Sequence, residues 1–157
     1  MSISKESIDI FTSFPHGNKN KFLRLNEIKM ELNDSRKPLY KKGLEIIKNI
    51  NLKNKIIIDA GCGSGTKTIP LAFKSKAKKV IGIDGSKSAI KNAKFFSKEL
   101  KVKNVVYKKI NLKNFKKIKK ILIEINANHI VHFGSNNPSY GDKDYFYKEN
   151  YITTKNI

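Results

Sequence analysis

The chain has 157 residues, 39% of them hydrophobic, and a formal net charge of +20, which is the size of one domain with one real core. A lone Cys62 excludes a disulfide framework, and one cysteine with three scattered histidines argues against a zinc cluster. The apolar runs, such as 56–58, fall far short of the ~20 residues a membrane span requires, and the N-terminus lacks the basic-then-apolar order of a signal peptide, so a cytoplasmic, reducing location is expected.

Residues 1–54 read as a helical leader or cover. Phe11, Phe14, Phe22, Leu25, Ile28 and Leu32 fall partly at helical intervals around a turn at Pro15-His16-Gly17-Asn18, and a clearer amphipathic helix begins at Pro38. From residue 55 the pattern changes to short β-branched runs separated by helix-length stretches. Strands are predicted over 55–59, 79–84, 104–110 and 129–133, and helices over 66–74, 88–100 and 115–125. Parallel strands need crossover connections, so this strict alternation predicts an α/β, Rossmann-like, mostly parallel sheet with helices on both faces, occupying 55–157. Only four strands are legible, and the fourth is expected at or near an open edge of a sheet cut short after it, an edge that a partner subunit would complete.

The first strand runs into Asp59-Ala60-Gly61-Cys62-Gly63-Ser64-Gly65-Thr66. A glycine-rich turn lets the backbone approach a ligand where a Cβ would collide. The spacing is not the G-x-G-x-x-G of a dinucleotide site, because Thr66 stands where the third glycine belongs. Asp59 at the strand end would repel a pyrophosphate and suit a cationic ligand. The second strand, Val80-Ile81-Gly82-Ile83-Asp84, ends in another acid, whose two oxygens can each accept a hydrogen bond from a ribose hydroxyl pair.

With these residues in view, IIIDAGCGSGTKTIPLA followed by KVIGIDGSKSAIKNAK resembles the first two motifs of class I S-adenosylmethionine-dependent methyltransferases. The resemblance implies that S-adenosylmethionine is the cofactor. It places Asp59 by the methionine end, Gly61, Cys62, Gly63 and Gly65 in the cofactor turn, Asp84 on the ribose, and Gly85 and Ser86 beside the adenine. After the third strand the family commonly carries an acid that contacts the adenine amino group; Asn111 stands there, and its amide still accepts such a bond. Cys62 reads as a small space-filler, since no base lies near it in sequence. The implied chemistry is in-line displacement of the methyl group, with positioning and desolvation as the protein's contribution, and no catalytic residue is nominated.

The last quarter supports other readings. Asn137-Pro138-Ser139-Tyr140 resembles distantly the Asn-Pro-Pro-Tyr signature of enzymes that methylate planar nitrogens, although a plain turn explains it as well. NHIVHFGS and NYITTKNI resemble segments of extended short-chain dehydrogenases, the NAD-dependent sugar-nucleotide epimerases and dehydratases, which would make NAD the ligand. A third reading is a non-catalytic remnant that keeps the fold. His129 and His132 lie three apart on a strand, point to opposite faces and take packing or edge roles. Tyr145, Phe146, Tyr147 and Tyr151 are expected on the core side of a last helix.

The methyl acceptor is open between a small molecule and a macromolecule. The charge points toward a polyanionic partner such as nucleic acid. That reading is discounted because Arg24 and Arg36 are the only arginines, and lysine lacks the planar bidentate contact.

Overall fold

The computed structural model describes Leu25, Asn26, Ile28, Lys29, Leu32 and residues 50–132 and 143–157, with the side chains of 143–147 and 149 excepted. Its elements are β1 (Ile56–Ala60), α1 (Thr68–Lys74), β2 (Lys79–Asp84), α2 (Lys87–Glu99), β3 (Val105–Lys109), α3 (Phe115–Ile125), β4 (His129–His132) and α4 (Lys143–Lys155). The strands form one parallel sheet in the order β3-β2-β1-β4. The expected Rossmann-like α/β architecture is therefore present. The first helix starts at Thr68, later than the sequence suggested, because Thr66 and Lys67 still belong to the glycine turn.

Both faces of the sheet are covered, and adjacent residues alternate between them. Ile57 and Val80 pack with Leu71 and Ala72 of α1 on one face, while Ile58, Ala60, Ile81 and Ile83 pack with Ile118 of α3 on the other. Alternate side chains on a strand point to opposite faces, and burial on both explains why β1 and β2 read as nearly continuous apolar runs. Cys62, Ile90, Ala93 and Tyr107 form a further cluster between α2 and the sheet. Ser86 caps α2 by accepting from the Ala89 N–H at 3.2 Å, and Asn114 caps α3 by accepting from the Lys117 N–H at 3.0 Å.

From β1 the chain steps to β2 and β3 in one direction, then crosses to place β4 on the other side of β1. Such a reversal opens a crevice at the carboxyl ends of the strands. Among the described residues β4 is the outermost strand on its side of the sheet and pairs with β1 through residues 129–132. On the other side the outermost described strand, β3, exposes Val106, Lys108 and Lys109.

Leu25, Asn26, Ile28, Lys29 and Leu32 are helical. Ile28 is buried against Ile69 of α1 and Phe96 of α2, with Leu25 and Leu32 beside it. The helix expected from Pro38 and the Asn137-Pro138-Ser139-Tyr140 segment lie outside the described residues. At the other end, Asn156 Nδ2 donates to the Leu112 carbonyl at 3.0 Å, and Ile157 packs on the α3 side. Tyr151 departs from expectation: it is 58% exposed and carries Lys155 Nζ 5.8 Å from its ring centre. The side chains of Tyr145, Phe146 and Tyr147 are outside the described set. Among the described residues no helix is long and apolar enough to cross a membrane.

Candidate functional site

The sequence motifs converge at the carboxyl ends of β1, β2 and β3. Asp59 lies one residue before the end of β1, Asp84 ends β2, and Asn111 follows β3 by two positions. Gly61, Gly63 and Gly65 all have positive φ, at 78°, 52° and 83°. A side chain at any of the three would strain the backbone, so the G-x-G-x-G spacing is a requirement of this turn. The Gly61 and Cys62 N–H groups both donate to the Ile83 carbonyl, at 2.9 and 3.0 Å, which ties the turn to the end of β2.

The glycines differ in what faces them. A Cβ on Gly63 would meet nothing within 4 Å, whereas one on Gly65 would come within 2.9 Å of Tyr107 Oη and 3.2 Å of Ala93 Cβ. Gly63 thus borders open space and Gly65 brings α2 and β3 close to the turn.

Asp84 closes the turn with its side chain. Oδ2 accepts from the Gly63 N–H at 2.9 Å and Oδ1 from the Ser86 N–H at 2.8 Å. With two lone pairs on each oxygen, the carboxylate keeps acceptor capacity beyond these bonds. Burial raises the Asp84 pKa, and backbone N–H groups of Ser86, Gly63 and Gly85 oppose that rise. Ser86 is buried, and its hydroxyl caps α2 and lies 3.0 Å from Ser88 Oγ. Asn111 Oδ1 accepts from the Lys113 N–H at 3.0 Å, which fixes the amide beside the end of β3.

Asp59 is fully buried. Its Oδ2 accepts from Thr68 Oγ1 at 2.6 Å, while Oδ1 has no hydrogen-bond partner. Burial pushes its pKa from 3.8 up to about 6; the Thr68 hydroxyl opposes the rise and the nearby Asp84 charge adds to it. A buried acceptor without a donor costs about 1–3 kcal/mol. A cationic donor brought to Oδ1 would remove that cost and favour the charged form. Cys62 is buried with its thiol pKa pushed far up, by burial first and then by the Asp59 and Asp84 charges. It packs and does not act as a nucleophile.

Three contributors were not singled out from the sequence: Thr68, Gly82 and Tyr107. Thr68 sits in the first turn of α1, where the chain returns over the end of β1. Asp59, Gly82 and Tyr107 occupy one row across three strands. The signal available was a glycine inside a buried strand, which marks a close approach by a neighbour. His132, at the end of β4, places Nδ1 2.8 Å from the Ala60 carbonyl, so Nδ1 carries the proton and donates.

The sequence profile of a family described as "Methyltransferase domain" matches residues 51–136, more than half of the 157. A ubiquinone biosynthesis O-methyltransferase from Pelagibacter ubique is 35% identical over 98 residues, covering 62% of this chain and 37% of that protein. An uncharacterized RNA methyltransferase from Clostridium tetani is 39% identical over 85 residues, covering 54% of this chain and 16% of that protein. The matches thus span well under half the length of either curated relative. Among solved structures, magnesium protoporphyrin IX methyltransferase from Synechocystis PCC 6803 with bound SAM superposes with a TM-score of 0.49 at 21% identity, over 70% of this chain and 55% of that one.

Proposed function

Because the chain belongs to the methyltransferase domain family, whose cofactor is S-adenosylmethionine, we propose that the cradle between Asp59 and Asp84 binds S-adenosylmethionine for methyl transfer to an acceptor. The observation that carries this reading is the unpartnered Oδ1 of the fully buried Asp59 beside a left-handed glycine turn. A ligand with a cationic amino-acid end would supply the missing donor. Asp84 would offer its remaining lone pairs to a ribose diol, the backbone of Gly61, Cys62 and Gly63 would line the ligand, and Gly85, Ser86 and Asn111 would border the base. Gly63, with no atom within 4 Å of a built Cβ, is where a ligand would approach the backbone.

When bound, S-adenosylmethionine supplies a methyl group on a positively charged sulfur. The chain's own residues hold the ligand's two ends, fix its orientation and keep water from the buried side of the cradle, which is the positioning that such a displacement requires. Cys62, the single thiol, has no disulfide partner within the chain, which supports a reducing, cytoplasmic setting. The acceptor is a small molecule or a macromolecule.

Calorimetric titration with S-adenosylhomocysteine and, separately, NAD tests the reading. Binding of the first alone is expected. Binding of NAD in its place would overturn it, and would favour the epimerase-like alternative.

A further inference from the structure

β4 ends on a histidine whose ring is tied to the start of the glycine turn. His132 is the register partner of Ala60, the last residue of β1 and the one before Gly61. Its Nδ1 lies 2.8 Å from the Ala60 carbonyl. A carbonyl can only accept, so in the neutral ring the proton sits on Nδ1 and Nε2 carries a bare lone pair. Among the described residues nothing bonds to Nε2. The one buried side-chain nitrogen or oxygen that lacks a partner there is Asp59 Oδ1, so this Nε2, on a half-buried residue, is reached from outside the fold. His132 also stands where the strand order reverses between β1 and β4, which is where open α/β sheets bind their ligands.

The other described ionisable groups at the carboxyl ends of the strands are committed elsewhere. Asp84 accepts from two backbone N–H groups, and the free oxygen of Asp59 is the site for a cationic ligand end. Cys62 and Tyr107 are buried, which pushes both pKa values up and keeps both groups protonated. Lys109 ends β3, three strands away from β4. His129 opens β4 at its other end, about 10 Å back along the strand.

We propose that His132 Nε2 is the proton acceptor of the methyl-transfer site, which makes the methylated group a hydroxyl or an amine. The proposal rests on the reading of the cradle as an S-adenosylmethionine site. In the transfer, the bond between the methyl carbon and the sulfonium sulfur breaks and the acceptor oxygen or nitrogen bonds to that carbon. The acceptor's proton passes to Nε2. The ring becomes an imidazolium whose Nδ1–H stays on the Ala60 carbonyl, and it returns the proton to water afterwards. An acceptor with no proton to lose, such as a thioether sulfur, has no use for this lone pair.

A reacting atom within about 3.5 Å of the methyl carbon and a base within about 3.2 Å of that atom bring Nε2 to about 6 Å from the methyl. The test is NMR of the full chain with isotope-labelled histidine and S-adenosylmethionine labelled in its methyl group, the His132 signals being assigned with His132→Asn. Asparagine retains a donor near the position of Nδ1 and lacks Nε2, so its calorimetric affinity for S-adenosylhomocysteine is expected to match the parent's. A nuclear Overhauser cross-peak from the methyl to the His132 ring is expected, with none to His129 and with Nε2 unprotonated. With tritium-labelled cofactor and catechol or benzylamine as probe acceptor, transfer is expected to fall at least about tenfold in His132→Asn. Bound cofactor with no cross-peak to His132, a proton on Nε2 of the neutral ring, or equal transfer by parent and variant would overturn this proposal and leave the cradle standing. Failure of S-adenosylhomocysteine to bind the parent would overturn both.

Discussion

The ring of Tyr107 lies where a side chain on Gly82 would be: a Cβ there would stand 2.7 Å from Tyr107 Cδ1 and 2.9 Å from Cys62 Sγ. The missing side chain in the middle of β2 lets the ring cross the neighbouring strand. Its hydroxyl then reaches Ser97 Oγ at 2.9 Å and the space over Gly65. The glycine turn that borders the cradle therefore rests on a residue from β3.

Gly82→Ala is expected to destabilise the fold by about 2 kcal/mol, since ring and thiol are both confined in the core and cannot both withdraw. Tyr107→Phe keeps the ring and loses the hydroxyl bond, so a smaller cost of about 1 kcal/mol is expected. Urea denaturation of both variants measures the difference. Equal costs would mean that the ring's position over Gly82 contributes nothing.

Asp59 gives stability a definite pH dependence. Its folded pKa of about 6 exceeds the unfolded 3.8, so between these values the native state binds more protons than the unfolded state. Stability from this group is highest when the carboxyl is protonated and falls as pH rises through that window, by on the order of 3 kcal/mol. Asp84, also raised by burial, contributes with the same sign. Asp59→Asn is expected to be more stable than the parent at pH 7, to lose most of this slope, and to bind S-adenosylhomocysteine more weakly. Denaturation curves from pH 4 to 7 check the first two outcomes. A variant less stable than the parent at pH 7 would contradict the origin assigned to the shift.

Thr68 holds the charged form of Asp59 through the 2.6 Å bond. Thr68→Val keeps the side-chain volume close to that of threonine and removes the donor, so the Asp59 pKa rises further. Affinity for S-adenosylhomocysteine should then begin to fall at a higher pH than in the parent as pH is lowered. Titrations at several pH values would show the midpoint moving up, and an unmoved midpoint would rule the bond out as a determinant.

His132 Nδ1 donates to the Ala60 carbonyl, the last of β1. His132→Ala removes that donor, and a loss of about 1–2 kcal/mol is expected by chemical denaturation. No loss would mean that another group satisfies the carbonyl.

The alternation of β-branched runs with helix-length stretches was enough to place all four strands to within about a residue, because burial on both faces leaves an unmistakable apolar run in a parallel strand. The cluster of Asp59, the glycine turn and Asp84 was legible for a related reason: tight turns and strand-end acids are local features. What Tyr107 does was not legible, since it depends on a register between β2 and β3 across more than twenty residues of chain. The same holds for the Thr68 bond to Asp59, which requires knowing how α1 returns over β1. Tyr151 misled because aromatic residues usually face a core, while here its helix leaves that ring to solvent and Lys155.

The most direct measurement is the affinity of Asp84→Ala for S-adenosylhomocysteine by calorimetry, with thermal melting to verify that the variant is folded and Asp84→Asn as a second variant. A charged acceptor is worth roughly 1.5–3 kcal/mol, so binding at least tenfold weaker than the parent's is expected. A folded variant with the parent's affinity would contradict a cradle built on the two strand-end carboxylates.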